Sequence, residues 1–392
     1  MPECSITPKE QKVKTCSSRK RFSVSVLKDN PQKETRVALT PMGISVLSAN
    51  GFKVLVEQGA GLEAGYSDLE YVKSGAEILT SRRDLFKSDV MLKVSPFEAD
   101  DIEYVNKDQT LISYLGIALA QKKTLQAILD KKAVAVALEY IQTLKHFYPV
   151  NLIDSEIAGR AAVHIGAQLL SKQNGGKGVL LGGITGVSPA LVVIIGTGTA
   201  ALYAARTALA CGAEVRVFDS SVCNLAAFRE KIGTDIFTSV LLPQVLDKAL
   251  SSADLLIGAK SIQSPQSAVI TGESLSLMKK GSVAVDLNIS TGQCFETSRP
   301  ATLQNPSFEV SGVIHFCPPD IAALVPRTAS IALSNILYPF INEIYTNGGI
   351  YQEINLNPLI RQSVYCCNGF LTNMYLSKKF NIKARDIDLY LM

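Results

Sequence analysis

Five consecutive apolar residues, Leu191–Ile195, run straight into Gly196-Thr197-Gly198-Thr199-Ala200-Ala201, and no other junction narrows the possible folds as far. An apolar run of this length, a G-x-G-x-x-A turn and an alanine-rich segment read as strand, tight turn and helix, the opening of a βαβ unit. The rest of the chain repeats that alternation. Strands are predicted at 22–27, 53–57, 88–94, 110–115 and 133–138, with helical stretches at 41–48, 67–74, 81–87 and 120–131. Thr40-Pro41 supplies an N-cap and an N1 proline for the first helix. Residues 142–154 break the rhythm and read as a boundary.

A second series follows, with a helix at 155–171, strands at 191–195, 214–218, 254–257 and 282–287, and helices at 200–210, 222–231 and 243–251. After Arg327 the pattern reads as fully helical, with apolar spacing through Ile331, Leu333, Ile336, Leu337 and Phe340. Short apolar runs alternating with helices are the mark of parallel sheets covered on both faces. The expected fold is therefore α/β, a Rossmann dinucleotide-binding domain inserted in a second, discontinuous doubly wound α/β domain. The Rossmann part covers residues 151–326 and the outer domain 22–150 plus 327–392.

Charge excludes one class of partner once it is located. The net +4 resides in residues 1–21, where six bases face Glu3 and Glu10. That segment reads as a basic solvated tail, the remainder is neutral, and no nucleic-acid-binding face is expected. The longest apolar stretch, 191–205, is interrupted by Gly196, Thr197, Gly198 and Thr199, so no membrane span is expected. Eight cysteines without paired metal spacing read as reduced thiols of a cytoplasmic protein. Of the histidines, His164 and His315 read as satisfied structural imidazoles and His146 as exposed.

Chemistry begins at the glycine turn. Gly196 permits the turn, Gly198 lets the backbone approach a pyrophosphate, and small Ala201 lets the helix pack on the sheet. The phosphates would sit at the helix N-terminus by Thr199 and Ala200. Asp219 ends the next strand, 21 residues beyond Gly198, where a carboxylate accepts from both ribose hydroxyls and repels a 2′-phosphate. Residues 220–224 contain no arginine to receive that phosphate, so the expected cofactor is NAD rather than NADP.

Several stretches resemble the alanine dehydrogenase family, which shares its fold with the NAD-binding α part of nicotinamide nucleotide transhydrogenase. They are Arg36-Val37-Ala38-Leu39-Thr40-Pro41, Glu57-Gln58-Gly59-Ala60-Gly61, Met91-Leu92-Lys93-Val94, Ser155-Glu156-Ile157-Ala158-Gly159, residues 174–183 and residues 293–298, in family order. The resemblance implies NAD-dependent oxidative deamination of L-alanine or a similar small amino acid to the 2-oxo acid, and assembly as a homo-oligomer, commonly a hexamer. It carries the family's substrate-binding arginine and lysine onto Arg36 and Lys93, and places Ser155, Leu287, Ser290 and Asp320 against the cofactor. Read without the resemblance, Arg36 and Lys93 are the solvated surface charges that most such residues are.

Three positions depart from the family pattern. The catalytic histidine falls on Gly116, the catalytic aspartate on Ser290, and a nicotinamide-side asparagine on Asp320. Two readings stay open: an active dehydrogenase, or a catalytically impaired NAD(H)-binding homologue serving as sensor or assembly subunit. Asp320 is either a relocated negative charge beside the nicotinamide or a residue pointing to solvent at a loop edge.

Overall fold

A computed structural model describes residues 22–117, 120–260, 269–289 and 292–390. Two sheets carry the fold. The first holds β1 (Ser23–Val26), β2 (Lys53–Glu57), β3 (Ala76–Leu79), β4 (Val90–Leu92), β5 (Thr110–Ser113), β6 (Val134–Ala137), β14 (Val364–Cys367) and β15 (Phe370–Leu371), in the order β15-β14-β6-β5-β4-β1-β2-β3. The second holds β7 (Leu191–Ile195), β8 (Glu214–Asp219), β9 (Phe237–Val240), β10 (Leu255–Gly258), β11 (Val283–Asp286), β12 (Ser307–Val310) and β13 (Val313–Phe316), in the order β12-β13-β11-β10-β7-β8-β9. β1–β6 pair in parallel, as do β7–β11 and β13; β12, β14 and β15 pair antiparallel.

The central strands are buried on both faces, which is why they read as unbroken apolar runs. All five residues of β7 are buried, at about 1.5–3 kcal/mol for each fully buried aliphatic side chain. That burial anchors the glycine turn that follows. Each sheet has one switch point, where the chain order reverses: β1 lies between β2 and β4, and β7 between β8 and β10. Crevices at the carboxyl ends of strands beside such points are the usual ligand sites of open α/β sheets.

Two expectations need correction. The C-terminal part is not fully helical, because Val364–Cys367 and Phe370–Leu371 form a hairpin on the edge of the first sheet. Its turn is Asn368-Gly369, both with positive φ (46° and 83°), an Asn-Gly signal that apolar spacing at helical period does not register. The stretch 142–154 is also not a boundary throughout. Pro149 opens a helix, Pro149–Leu169, that packs on the turn after β6 of the first sheet and on β10 and β11 of the second. The helix starts where proline at N1 dictates, six residues before Ser155. Strands β3, β9 and β12 lie at or next to sheet edges, half-exposed and only four residues each, and are too short for their pattern to stand out. The basic tail lies outside the described residues.

Candidate active site

At the second switch point the helix Thr199–Ala210 starts directly behind β7. Gly196 sits at φ 106°, and a Cβ there would lie 2.7 Å from the Ala259 carbonyl oxygen and 2.8 Å from the Lys260 backbone. Only glycine fits. Gly198 is the N-cap, and a Cβ there would meet nothing closer than 3.9 Å, so its outer face is open. The first helical bond runs from Leu202 N–H to the Gly198 carbonyl, leaving the N–H groups of Thr199, Ala200 and Ala201 ahead of it. Ala201 is buried on the sheet side. Ala200 is clasped from outside by Gly159, whose missing Cβ would run into the Ala200 carbonyl. Open glycine, helix N-terminus and strand-end carboxylate together fit a dinucleotide.

That carboxylate is Asp219, 4 % exposed. Its Oδ2 accepts from Thr197 Oγ1 at 2.9 Å, within the glycine turn itself, and its Oδ1 accepts from Ser221 N–H at 3.0 Å and Asn224 Nδ2 at 3.4 Å. Residues 220–224 indeed hold no arginine, but a cation arrives from another strand: Lys260, beyond β10, donates to Ser220 Oγ at 3.2 Å. Leu287 follows β11 and its N–H donates to the Gly258 carbonyl at 2.9 Å. Ser155 is half-buried on the long helix. Ser290 lies outside the described residues.

Sequence reasoning missed Asp286. It is fully buried and accepts from Ser298 Oγ at 2.6 Å, Cys294 N–H at 2.8 Å and Asn288 N–H at 2.9 Å. Burial raises its pKa, against those donors. Its strand-end place in β11 was the available signal. Cys294 and Cys317 are buried fillers, with burial pushing the Cys317 thiol up to about 11. His315 is satisfied by Thr297 Oγ1 at 2.8 Å and the Val313 carbonyl at 3.0 Å. His164, read as a structural imidazole, is exposed: it sits on the outer face of its helix. Among the described residues no cluster of His, Cys, Asp or Glu could hold a metal.

Arg36 lies beyond β1, with its side chain only 2 % exposed. The surface-charge reading is thereby excluded. Glu34 takes the guanidinium in a bidentate fork, Nε to Oε1 at 2.9 Å and Nη2 to Oε2 at 2.8 Å. Nη1 donates to Asp154 Oδ1 at 3.2 Å and Nη2 also to Asp320 Oδ2. The Tyr114 ring lies 5.2 Å from the guanidinium, and its hydroxyl donates to Asp154 Oδ2. Burial would lower the Arg36 pKa, but Asp320 and Glu34 together hold it well above the usual value. Burial pushes Asp154 up to about 6 despite Arg36. Asp320 is therefore not an unattached loop-edge residue; Arg36 anchors it, and its Oδ1 accepts from Ala322 N–H at 2.9 Å.

Lys93 follows β4 at the first switch point and is 5 % exposed, again not a surface charge. Its ammonium is held by Asp101 at 3.1 Å and the Pro96 carbonyl at 3.4 Å. Asp29, at the end of the neighbouring β1 segment, accepts from Val94 N–H at 3.0 Å, and burial lifts it to about 6. Gly116, beyond β5, has φ 53°, and the N–H groups of Leu115 and Gly116 both donate to the half-buried Glu139 carboxylate. Arg36 and Lys93 thus follow β1 and β4 at the first switch point, and Gly116 follows β5, one strand further out.

Sequence-family profiles described as "Alanine dehydrogenase/PNT, N-terminal domain" and "Alanine dehydrogenase/PNT, C-terminal domain" match residues 25–155 and 162–374. The chain belongs to the alanine dehydrogenase/PNT family. It is 36% identical over 362 residues to an alanine dehydrogenase of Methanococcus maripaludis, covering 92% of this chain and 96% of that protein. It is 37% identical over 354 residues to an alanine dehydrogenase of Bacillus subtilis, covering 89% and 92%. A solved L-alanine dehydrogenase superposes with TM-score 0.85 at 30% identity, over 92% of this chain and 99% of that one. A transhydrogenase from Sinorhizobium meliloti shares the fold, with TM-score 0.74 at 23% identity over 90% and 99%. Within this family the α/β fold with its Rossmann part is as the glycine turn predicted.

Proposed function

We propose that the protein is an NAD-dependent oxidoreductase that deaminates a small L-amino acid of the alanine type to its 2-oxo acid and ammonia. The observation that carries this reading is the glycine cradle with Asp219 at one switch point and the buried Arg36 and Lys93 at the other, within a chain so similar to alanine dehydrogenases. Bound NAD⁺ supplies the acceptor for the hydride that leaves the substrate Cα. Gly196 and Gly198 keep side chains away from the pyrophosphate, and the N–H groups of Thr199, Ala200 and Ala201 face it. Asp219 accepts from the ribose hydroxyls. The resemblance assigns Ser155, Leu287 and Asp320 to the cofactor side, and Ser290 with them. Arg36 and Lys93 orient the substrate, and Asp154, bonded to the Arg36 guanidinium and to the Tyr114 hydroxyl, fixes the position of that cation.

A second reading has one observation in its favour. Gly116 offers no side chain where the resemblance puts a histidine, which suits an NAD(H)-binding homologue that does not turn over. Absorbance at the NADH band with purified protein, NAD⁺ and a panel of small L-amino acids separates the two. NAD binding without NADH formation supports the second; neither binding nor turnover overturns both.

We place the protein in the cytoplasm as a homo-oligomer of hexameric type. Among the described residues no helix is long and apolar enough to cross a membrane. Two exposed turns, closed by the bridges Leu144–Phe147 and Ile184–Val187, present large apolar side chains suited to subunit contact.

A further inference from the structure

Arg36 can offer a ligand little of what the resemblance assigns to it. A guanidinium has five N–H donors. Glu34 takes two, Asp154 one and Asp320 one, so among the described residues a single Nη1 N–H is left. Bidentate capture of a substrate carboxylate needs two parallel donors. The side-chain exposures point the same way: Arg36 is 2 % and Glu34 6 % exposed, against 26 % for Asp154 and 38 % for Asp320. An arriving molecule meets carboxylates first and the guanidinium last. Nearby cations do not restore the balance, because Asp101 matches the Lys93 charge and Tyr114 brings only a neutral hydroxyl. The remaining Nη1 N–H of Arg36 and the third Lys93 N–H, beyond those given to Asp101 and Pro96, are left for an α-carboxylate. Asp29, 8 % exposed, adds a further carboxyl beside Lys93. Three carboxylates share one buried guanidinium, leaving surplus negative charge on the two partly exposed ones, where a charge-assisted bond to an ammonium is favoured.

We propose that Asp154 and Asp320 are specificity-determining residues that receive a second amino group on the substrate. The preferred substrate class is then a short L-diamino acid, ahead of alanine. This rests on the reading of the site as a deaminating dehydrogenase and names the substrate class of that same site. Nothing in the reaction changes. The α-amino carbon gives up the hydride, water replaces the α-nitrogen, and the side-chain ammonium stays bound to the carboxylates throughout.

The test uses the full chain with NAD⁺ and five substrates: alanine, 2,3-diaminopropionate, 2,4-diaminobutyrate, ornithine and lysine. The best diamino acid is expected to exceed alanine in kcat/KM by roughly 10–100-fold, the size of one or two charge-assisted hydrogen bonds. Asp154→Asn and Asp320→Asn, each nearly isosteric, should each lower that ratio about tenfold or more, mainly through KM for the diamino acid. Calorimetry with NADH present should show the same order of binding. Alanine preferred by wild type, with a ratio that neither variant moves, overturns the proposal while leaving the dehydrogenase reading intact. If no substrate yields NADH, the dehydrogenase reading fails instead. Calorimetry still decides the present proposal, since equal binding of alanine and 2,3-diaminopropionate overturns it.

Discussion

Arg36 and Asp154 are 118 residues apart and meet at 3.2 Å, Nη1 to Oδ1. The pair ties the segment beyond β1 to the helix that carries Ser155 and Gly159 toward the dinucleotide cradle. Asp320, from the segment beyond β13, closes on the same guanidinium. Cation, carboxylates and cofactor cradle are therefore one connected structure, and perturbations at its separate parts have separate expected outcomes.

Cofactor choice tests the Asp219 corner. NAD should bind more tightly than NADP, since Asp219 faces the 2′-phosphate position. Asp219→Ala should narrow the preference. Because Lys260 stands at Ser220, it should supply the residual NADP affinity of that variant, and adding Lys260→Ala should remove it. Calorimetric titration of both cofactors is the measurement, and equal or tighter NADP binding to wild type contradicts the reading.

Gly159→Ala tests the clasp on Ala200. The added Cβ has only backbone to push against, so the two helices must separate, at about 1–3 kcal/mol for overpacking of this kind. Chemical denaturation should show that loss. NAD affinity should fall with it, because the displaced helix carries Ala200 and Ala201.

At Gly116 the backbone is left-handed but space is available: among the described residues a Cβ there would meet only the Pro96 side chain, at 3.4 Å. Gly116→His should fold at a cost of about 1 kcal/mol. Combined with Ser290→Asp, it should raise turnover of alanine. Unchanged alanine turnover in the folded double variant would show that these two positions no longer limit the reaction.

Two carboxyl groups set a pH dependence of stability. Asp29 and Asp154 are each lifted from 3.8 to about 6. Between those values the folded state binds more protons than the unfolded one, so stability is greatest below about pH 4 for these groups and falls as pH rises toward 6. The slope should approach 1.4 kcal/mol per pH unit for each group. Urea unfolding at several pH values should show it, with a flatter curve for Asp29→Asn.

Assembly has a direct check. Sedimentation at micromolar protein should give a species several times the 42.2 kDa chain mass. Leu144→Glu with Ile184→Glu, at the two exposed apolar turns, should shift it toward the monomer. A wild-type monomer contradicts the oligomer.

Local chemistry made much of this protein legible from its sequence. The glycine turn, the strand-end Asp219 and the proline and threonine at the start of the first helix state their conformations through neighbours within a few residues, and the structure has them as read. The Rossmann fold follows, because a buried parallel strand must be apolar along its length. What only the tertiary structure decided is how the charges are spent. Arg36 and Lys93 looked like open cations in sequence. Asp154 and Asp320, distant along the chain, converge on Arg36, and Asp101 on Lys93. The hairpin Val364–Leu371 likewise joins the first sheet only because β6 leaves an edge to be paired. Helical and strand periodicity report which face of an element is buried. They carry no term for which element covers it, and ion pairing across the fold depends on that term alone.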